Sequence, residues 1–158
     1  MRPSKLLKMG TIVAVVAVIA LVAAACAGSQ STGAKQAFIT LVSEGHLGGS
    51  LGPDGLKHDT IIPADFTAYA GQTVNLTVVN YDEGPHTITS GALGINFQFP
   101  GAKSDGVPSV TQFQFTPAKA GVYQWYCALP CDAGQGGWAM TQGGQPGFMA
   151  GNITILGQ

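Results

Sequence analysis

Four stretches of this sequence alternate apolar and polar residues with a period of two. "TVNLTVVN" sets Val74, Leu76 and Val78 on one face and Asn75 and Thr77 on the other. "INFQF" does the same with Ile95, Phe97 and Phe99, "TQFQF" with Phe113 and Phe115, and "NITIL" with Ile153 and Ile155. Successive side chains of a strand point to opposite faces, so this pattern predicts strands with one face in a core and one toward water, in an antiparallel arrangement. "NYDEGP", "PGAKSDGVP" and "TPAKAG" separate the stretches with turn-forming residues. No helical period of comparable strength follows residue 36. Only 9% of the residues are charged and 23 are glycine, which suits short strands and many turns. About 120 residues patterned this way predict an all-β fold, a Greek-key β-sandwich. That length buries a core without a covalent staple.

The N-terminus follows different rules. "MRPSKLLK" carries Arg2, Lys5 and Lys8, and "GTIVAVVAVIALVAAA" is uncharged and apolar. A basic segment before an apolar run reads as an export signal. "LVAAACAGS" resembles a bacterial lipobox, with Cys26 as the lipidated first residue of the mature protein. An uncleaved transmembrane anchor and plain secretion are the alternatives, since the run is nearly long enough to span a bilayer. All three place the body on the outer, periplasmic or extracellular side of the cytoplasmic membrane. The expected organisation is a signal segment over 1–26, a small and polar tether over 27–36, and one domain over 37–158. Without the signal segment four basic residues stand against eight acidic ones, a net of −4. A weakly acidic body with no Lys/Arg cluster argues against nucleic acid as a partner.

Setting Cys26 aside leaves Cys127 and Cys131, four positions apart in "YQWYCALPCDAG". In an oxidising compartment such a pair either oxidises or is held by metal. Neither triad spacing, nor a phosphate-binding loop, nor a dinucleotide fingerprint is present, and no paired carboxylates stand out in the sequence. What remains is a soft-ligand set: His86 after the strand containing Val78, Cys127 and Cys131 after "GVYQWY", and Met140 and Met149 before the last strand. Thiolate, thioether and imidazole together select copper or zinc, and methionine moves the choice toward copper. Two Gly-rich stretches, 43–58 with His46 and His58 and 132–151 with Gln135, Trp138 and Phe148, read as loops. His46 and His58 read as solvated loop residues that could also reach toward the metal. Trp125, Tyr123 and Tyr126 read as core and rim aromatics. Asn80 is placed to hydrogen-bond the loop before His86.

"IIPADFTAYAGQTVNLTVVNYDEGPHTIT" resembles the first half of a cupredoxin, in which an alternating strand and an Asn-x-Asp turn lead to the first histidine ligand. "GVYQWYCALPCDAG" resembles the second half of the binuclear-copper (CuA-type) domain of cytochrome c oxidase subunit II. The resemblance covers about residues 60 to 158. It implies a cupredoxin-like sandwich binding one or two copper ions, with His86 as first imidazole ligand and Cys127 and Cys131 as thiolates. By the same resemblance the Leu129 backbone carbonyl is a weak ligand. The second histidine position falls on Gln135, a departure from the family pattern. "MAGNITI" matches the family's run from its methionine into the last strand and favours Met149, while Met140 in "GGWAM" is nearer in sequence. An insertion of about ten residues between Gln135 and Met149 accounts for the spacing.

These readings converge on an exported, membrane-tethered copper protein that passes single electrons to or from a respiratory partner such as a cytochrome or terminal oxidase. It would be an electron carrier rather than a catalyst. Two alternatives stay open: a Cu(I) delivery protein for oxidase assembly, and a metal-free accessory subunit stapled by Cys127–Cys131.

Overall fold

A computed structural model describes residues 35–45, 49–132 and 136–158. Eleven strands run along them: β1 (Gln36–Glu44), β2 (Ser50–Leu51), β3 (Lys57–His58), β4 (Thr60–Ile62), β5 (Phe66–Tyr69), β6 (Thr73–Asn80), β7 (His86–Ser90), β8 (Ile95–Phe99), β9 (Ser109–Phe115), β10 (Gly121–Tyr126) and β11 (Ala150–Leu156). They form a four-stranded sheet in the order β4-β1-β6-β9 and a five-stranded sheet in the order β5-β11-β10-β7-β8, with β2 and β3 paired separately as a hairpin. The only helical pieces among the described residues are short 3-10 turns, Gly91–Leu93 and Trp138–Gly143. The all-β expectation therefore holds.

Alternation decides which side chains meet. Val74, Leu76 and Val78 of β6 are buried, as are Ile153 and Ile155 of β11, Ile95 and Phe99 of β8, and Leu41 of β1. Together with the fully buried Trp125 and Ile88 they make one core. Phe97 and Phe113 close its edge as a stacked pair with ring centroids 4.6 Å apart. Trp125 keeps its polar atom satisfied by donating Nε1–H to the Ala64 carbonyl at 2.7 Å. Gly151 of β11 passes directly over that carbonyl, and a Cβ there would collide with Ala64 O.

Two expectations are corrected. The sheets are not purely antiparallel: β1 runs parallel to β6 from Gln36↔Thr73 to Ser43↔Asn80, and β5 runs parallel to β11. A Greek-key chain crosses between sheets, so strands from different hairpins lie side by side in the same direction, which period-two alternation alone cannot reveal. The stretch 43–58 is also not a simple loop, because it contains the β2–β3 hairpin. β1 begins at Gln36, the last residue assigned to the tether. Residues 1–34, with Cys26 and the apolar run, lie outside the described residues; among the described ones no helix is long and apolar enough to cross a membrane.

Candidate metal centre

The turn between β6 and β7 delivers His86. Asn80, fully buried at the end of β6, accepts from Asp82 N at 2.9 Å and donates Nδ2–H to the carbonyls of Gly84 and Pro100, both at 2.9 Å. One side chain thus ties together the start of the turn, its far arm and the end of β8, as anticipated for Asn80. His86 opens β7 opposite Phe99, and the two rings lie 5.8 Å apart.

Strand β10 delivers the sulfurs. Cys127 follows Tyr126 directly, and its backbone N–H donates to the Met149 carbonyl at 2.9 Å. Its Sγ accepts from Thr87 N at 3.4 Å, while Ala128 N donates to Thr87 Oγ1 at 2.7 Å. Thr87 therefore laces β7 to the cysteine loop from both backbone and side chain. Cys131 Sγ lies 2.6 Å from Cys127 Sγ, and both cysteines are free and buried. The Leu129 carbonyl is 3.2 Å from Cys131 Sγ and 3.9 Å from Cys127 Sγ.

Three donors converge here. His86 Nδ1 faces Cys127 Sγ at 4.0 Å, and the ligand atoms of His86, Cys127 and Cys131 all lie within 4.8 Å of one another. The other ring nitrogen, Nε2, donates to Asp82 Oδ2 at 2.6 Å. That carboxylate fixes ring orientation and tautomer, leaving Nδ1 to face the sulfurs, as the outer partner of a metal-bound histidine does.

The protonation states follow from this packing. Burial opposes the charge on Asp82, yet the hydrogen bond from His86 prevails and holds its carboxyl below the usual range. Burial likewise opposes a charged His86, but the bonds to Asp82 and Cys127 raise its pKa to about 9. Cys127 drops to about 4, chiefly through the hydrogen bond from Cys131, against the penalty of burial and with help from His86. Cys131 moves upward, because the neighbouring Cys127 thiolate and burial both disfavour a second charge. Asp59 is pushed up to about 6 by burial and by the charge of Asp82. Its carboxylate, Asp82 and His86 form a second convergent group within 4.8 Å.

The sequence-predicted residues are only partly gathered. His86, Cys127, Cys131 and the Leu129 carbonyl come together. Met149 is fully buried and joins Cys127 through its backbone. Met140 is half-buried on the 3-10 turn Trp138–Gly143, packed against the core. Gln135 and His46 lie outside the described residues. His58 is corrected: it is not a solvated loop residue but is fully buried, with Nδ1 on Asp132 and Nε2 on Asp54. Both ring nitrogens are occupied, so it does not reach for the sulfurs. Sequence pattern alone does not mark Asp59, Asp82, Asp132 or Thr87 as part of the site. The only signal for Asp82 was its place four residues before His86 in "DEGPH", and for Asp132 its adjacency to Cys131.

No family model matches the sequence, and no curated protein matches it. Among solved structures the chain is similar to copper nitrite reductase from Nitrosomonas europaea, with 18% identity and a TM-score of 0.53 over 78% of this chain and 42% of that one. It thus spans less than half of that chain. It is also similar to Na-dithionite-reduced auracyanin from Roseiflexus castenholzii, with 19% identity and a TM-score of 0.44 over 78% of this chain and 99% of that one. With the two-sheet topology, the first of these likenesses shows the fold alone, a cupredoxin-like β-sandwich.

Proposed function

We propose that this cupredoxin-fold chain binds copper through His86 Nδ1, Cys127 Sγ and Cys131 Sγ and carries single electrons. One observation carries the proposal: His86 turns Nδ1 to the buried thiols while Asp82 holds Nε2, inside a fold whose end is built to present such a loop. The donor set fits the metal. Two thiolates and an imidazole suit soft Cu(I) and tolerate Cu(II), and the Leu129 carbonyl lies against the sulfurs as a weak oxygen donor. Copper bound there would supply one-electron chemistry. The chain's own residues bury the donors, orient the imidazole and hold the proton inventory. Metal entry would displace the imidazolium proton of His86 and the thiol proton of Cys131, so loading is favoured by rising pH.

The CuA-like, binuclear form remains part of this proposal, with Met149 as thioether and Gln135 at the second histidine position. We place the chain, tethered through Cys26, on the outer face of the cytoplasmic membrane, beside a respiratory redox partner. A second reading, Cu(I) delivery, is favoured by one observation: among the described residues His86 is the sole imidazole at the thiols, since His58 is bound elsewhere. Fewer nitrogen donors favour Cu(I) over cycling.

The test is copper titration of the reduced full-length protein in detergent, read by visible absorption and EPR. An intense thiolate-to-copper band with a four-line or seven-line pattern supports electron transfer, the seven-line pattern marking two coppers sharing one electron. Colourless Cu(I) binding alone supports delivery. No binding, with no thiols titratable in protein isolated without reductant, refutes the copper reading.

A further inference from the structure

The β2–β3 hairpin contributes no ligand, yet it is bound to the residue that follows Cys131. His58, at the end of β3, donates Nδ1–H to Asp132 Oδ2 at 2.8 Å, and its Nε2 lies 3.0 Å from both carboxylate oxygens of Asp54. Its ring packs 4.6 Å from Trp138 and edge-on to Phe148 at 6.1 Å. The hairpin backbone closes over the ring so tightly that a Cβ on Gly52 would meet the imidazole at 2.6 Å.

Asp132 is buried and uses every polar atom it has. Its backbone N–H donates to Asp59 Oδ2 at 2.8 Å, and its Oδ1 accepts from Asp59 N at 3.2 Å. Its Oδ2 also accepts from Ala139 N, and its carbonyl from Gly137 N, both at 2.9 Å. Asp132 has φ 60, left-handed backbone that few residues other than glycine adopt and that Asp accepts more readily than most; here the five hydrogen bonds hold it in place. The peptide held in this way is the one that leaves Cys131.

We propose that His58 and Asp132 form a clamp that positions Cys131, making the β2–β3 hairpin a positioning element of the metal centre. The hydrogen bond from Nδ1 is the working part. The ring's stacking adds packing, and the link to Asp54 anchors the hairpin's outer end. The consequence for copper rests on the function proposed above. The consequence for the thiol does not, because the clamp acts in the metal-free protein.

Three substitutions separate these parts. His58→Asn places an amide N–H near the position of Nδ1 and retains the donor to Asp132. His58→Gln reaches only toward Asp54. His58→Phe keeps the ring and loses both bonds. The first readout is the alkylation rate of each cysteine in the reduced, metal-free, full-length protein, mapped by mass spectrometry. The second is the position of the thiolate-to-copper band after loading. The clamp predicts that Gln and Phe speed alkylation of Cys131 about tenfold, the loss of one buried charge-assisted hydrogen bond, and shift the band, while Asn leaves both near native. Equal rates in all variants overturn the clamp, as does an Asn variant as fast as Gln. If the His58 variants fail to fold, Asp132→Asn, which keeps side-chain shape and an acceptor for Asp59 N, is read the same way: an unchanged Cys131 rate refutes the proposal. Should copper fail to bind while the alkylation pattern holds, the clamp stands and the copper reading falls.

Discussion

Asp59 offers the sharpest quantitative test of the charge arrangement. The residue is 5% exposed, and burial and the Asp82 charge raise its pKa from 3.8 to about 6. A pKa raised in the folded state means that the folded protein prefers the proton. Well below pH 3.8 the acid is neutral in both states and costs nothing; the penalty builds as pH rises from 3.8 to about 6, where the unfolded chain has lost the proton that the folded protein still holds, and is complete above 6. At about 1.36 kcal/mol per pKa unit, the penalty reaches about 3 kcal/mol at neutral pH. Asp59→Asn keeps an oxygen to accept from Asp132 N and removes the charge. The metal-free protein should therefore gain about 2–3 kcal/mol at pH 7.5 and almost nothing at pH 4. Urea unfolding under reductant at the two pH values measures this. A gain equal at both pH values, or a loss at pH 7.5, would refute the account of the acidic cluster. Loaded protein should behave oppositely: a cation beside Cys131 is helped by the carboxylate, so the same substitution should weaken copper retention in a chelator competition.

Asp82→Asn should weaken copper binding about 10- to 100-fold by loosening the grip on His86 Nε2, and competition with a chromogenic Cu(I) chelator reads this directly. Asn80→Ala leaves the Gly84 carbonyl and the Asp82 N–H without their partner, while the Pro100 carbonyl keeps the Ser109 hydroxyl, at a cost of about 2–3 kcal/mol in urea unfolding; an unchanged midpoint would mean that water replaces the amide. Gly151→Ala forces a methyl group into the Ala64 carbonyl that accepts from Trp125, and should lower the melting temperature well beyond the effect of Gly91→Ala, an exposed position where a Cβ meets nothing.

Much of this protein was legible from residue order alone. Alternation in "TVNLTVVN" and "NITIL" dictated which side chains of β6 and β11 enter the core, because strand periodicity is local geometry. The turn residues of "NYDEGP" marked where β6 must end and His86 begin, and the spacing of Cys127 and Cys131 marked a loop that could bring two sulfurs together, as it does. Only the tertiary structure decided the rest. Strand direction between β1 and β6 depends on a crossover that leaves no local trace. His58 looked like a solvated loop residue because its partner, Asp132, lies 74 positions away. Separation along the chain also hid the carboxylate cluster: Asp59 lies 23 positions before Asp82 and 27 before His86, and they become a shared charge only when the fold brings the three within 4.8 Å of one another. Burial and pKa are sums over spatial neighbours, and a sequence orders only the neighbours along the chain.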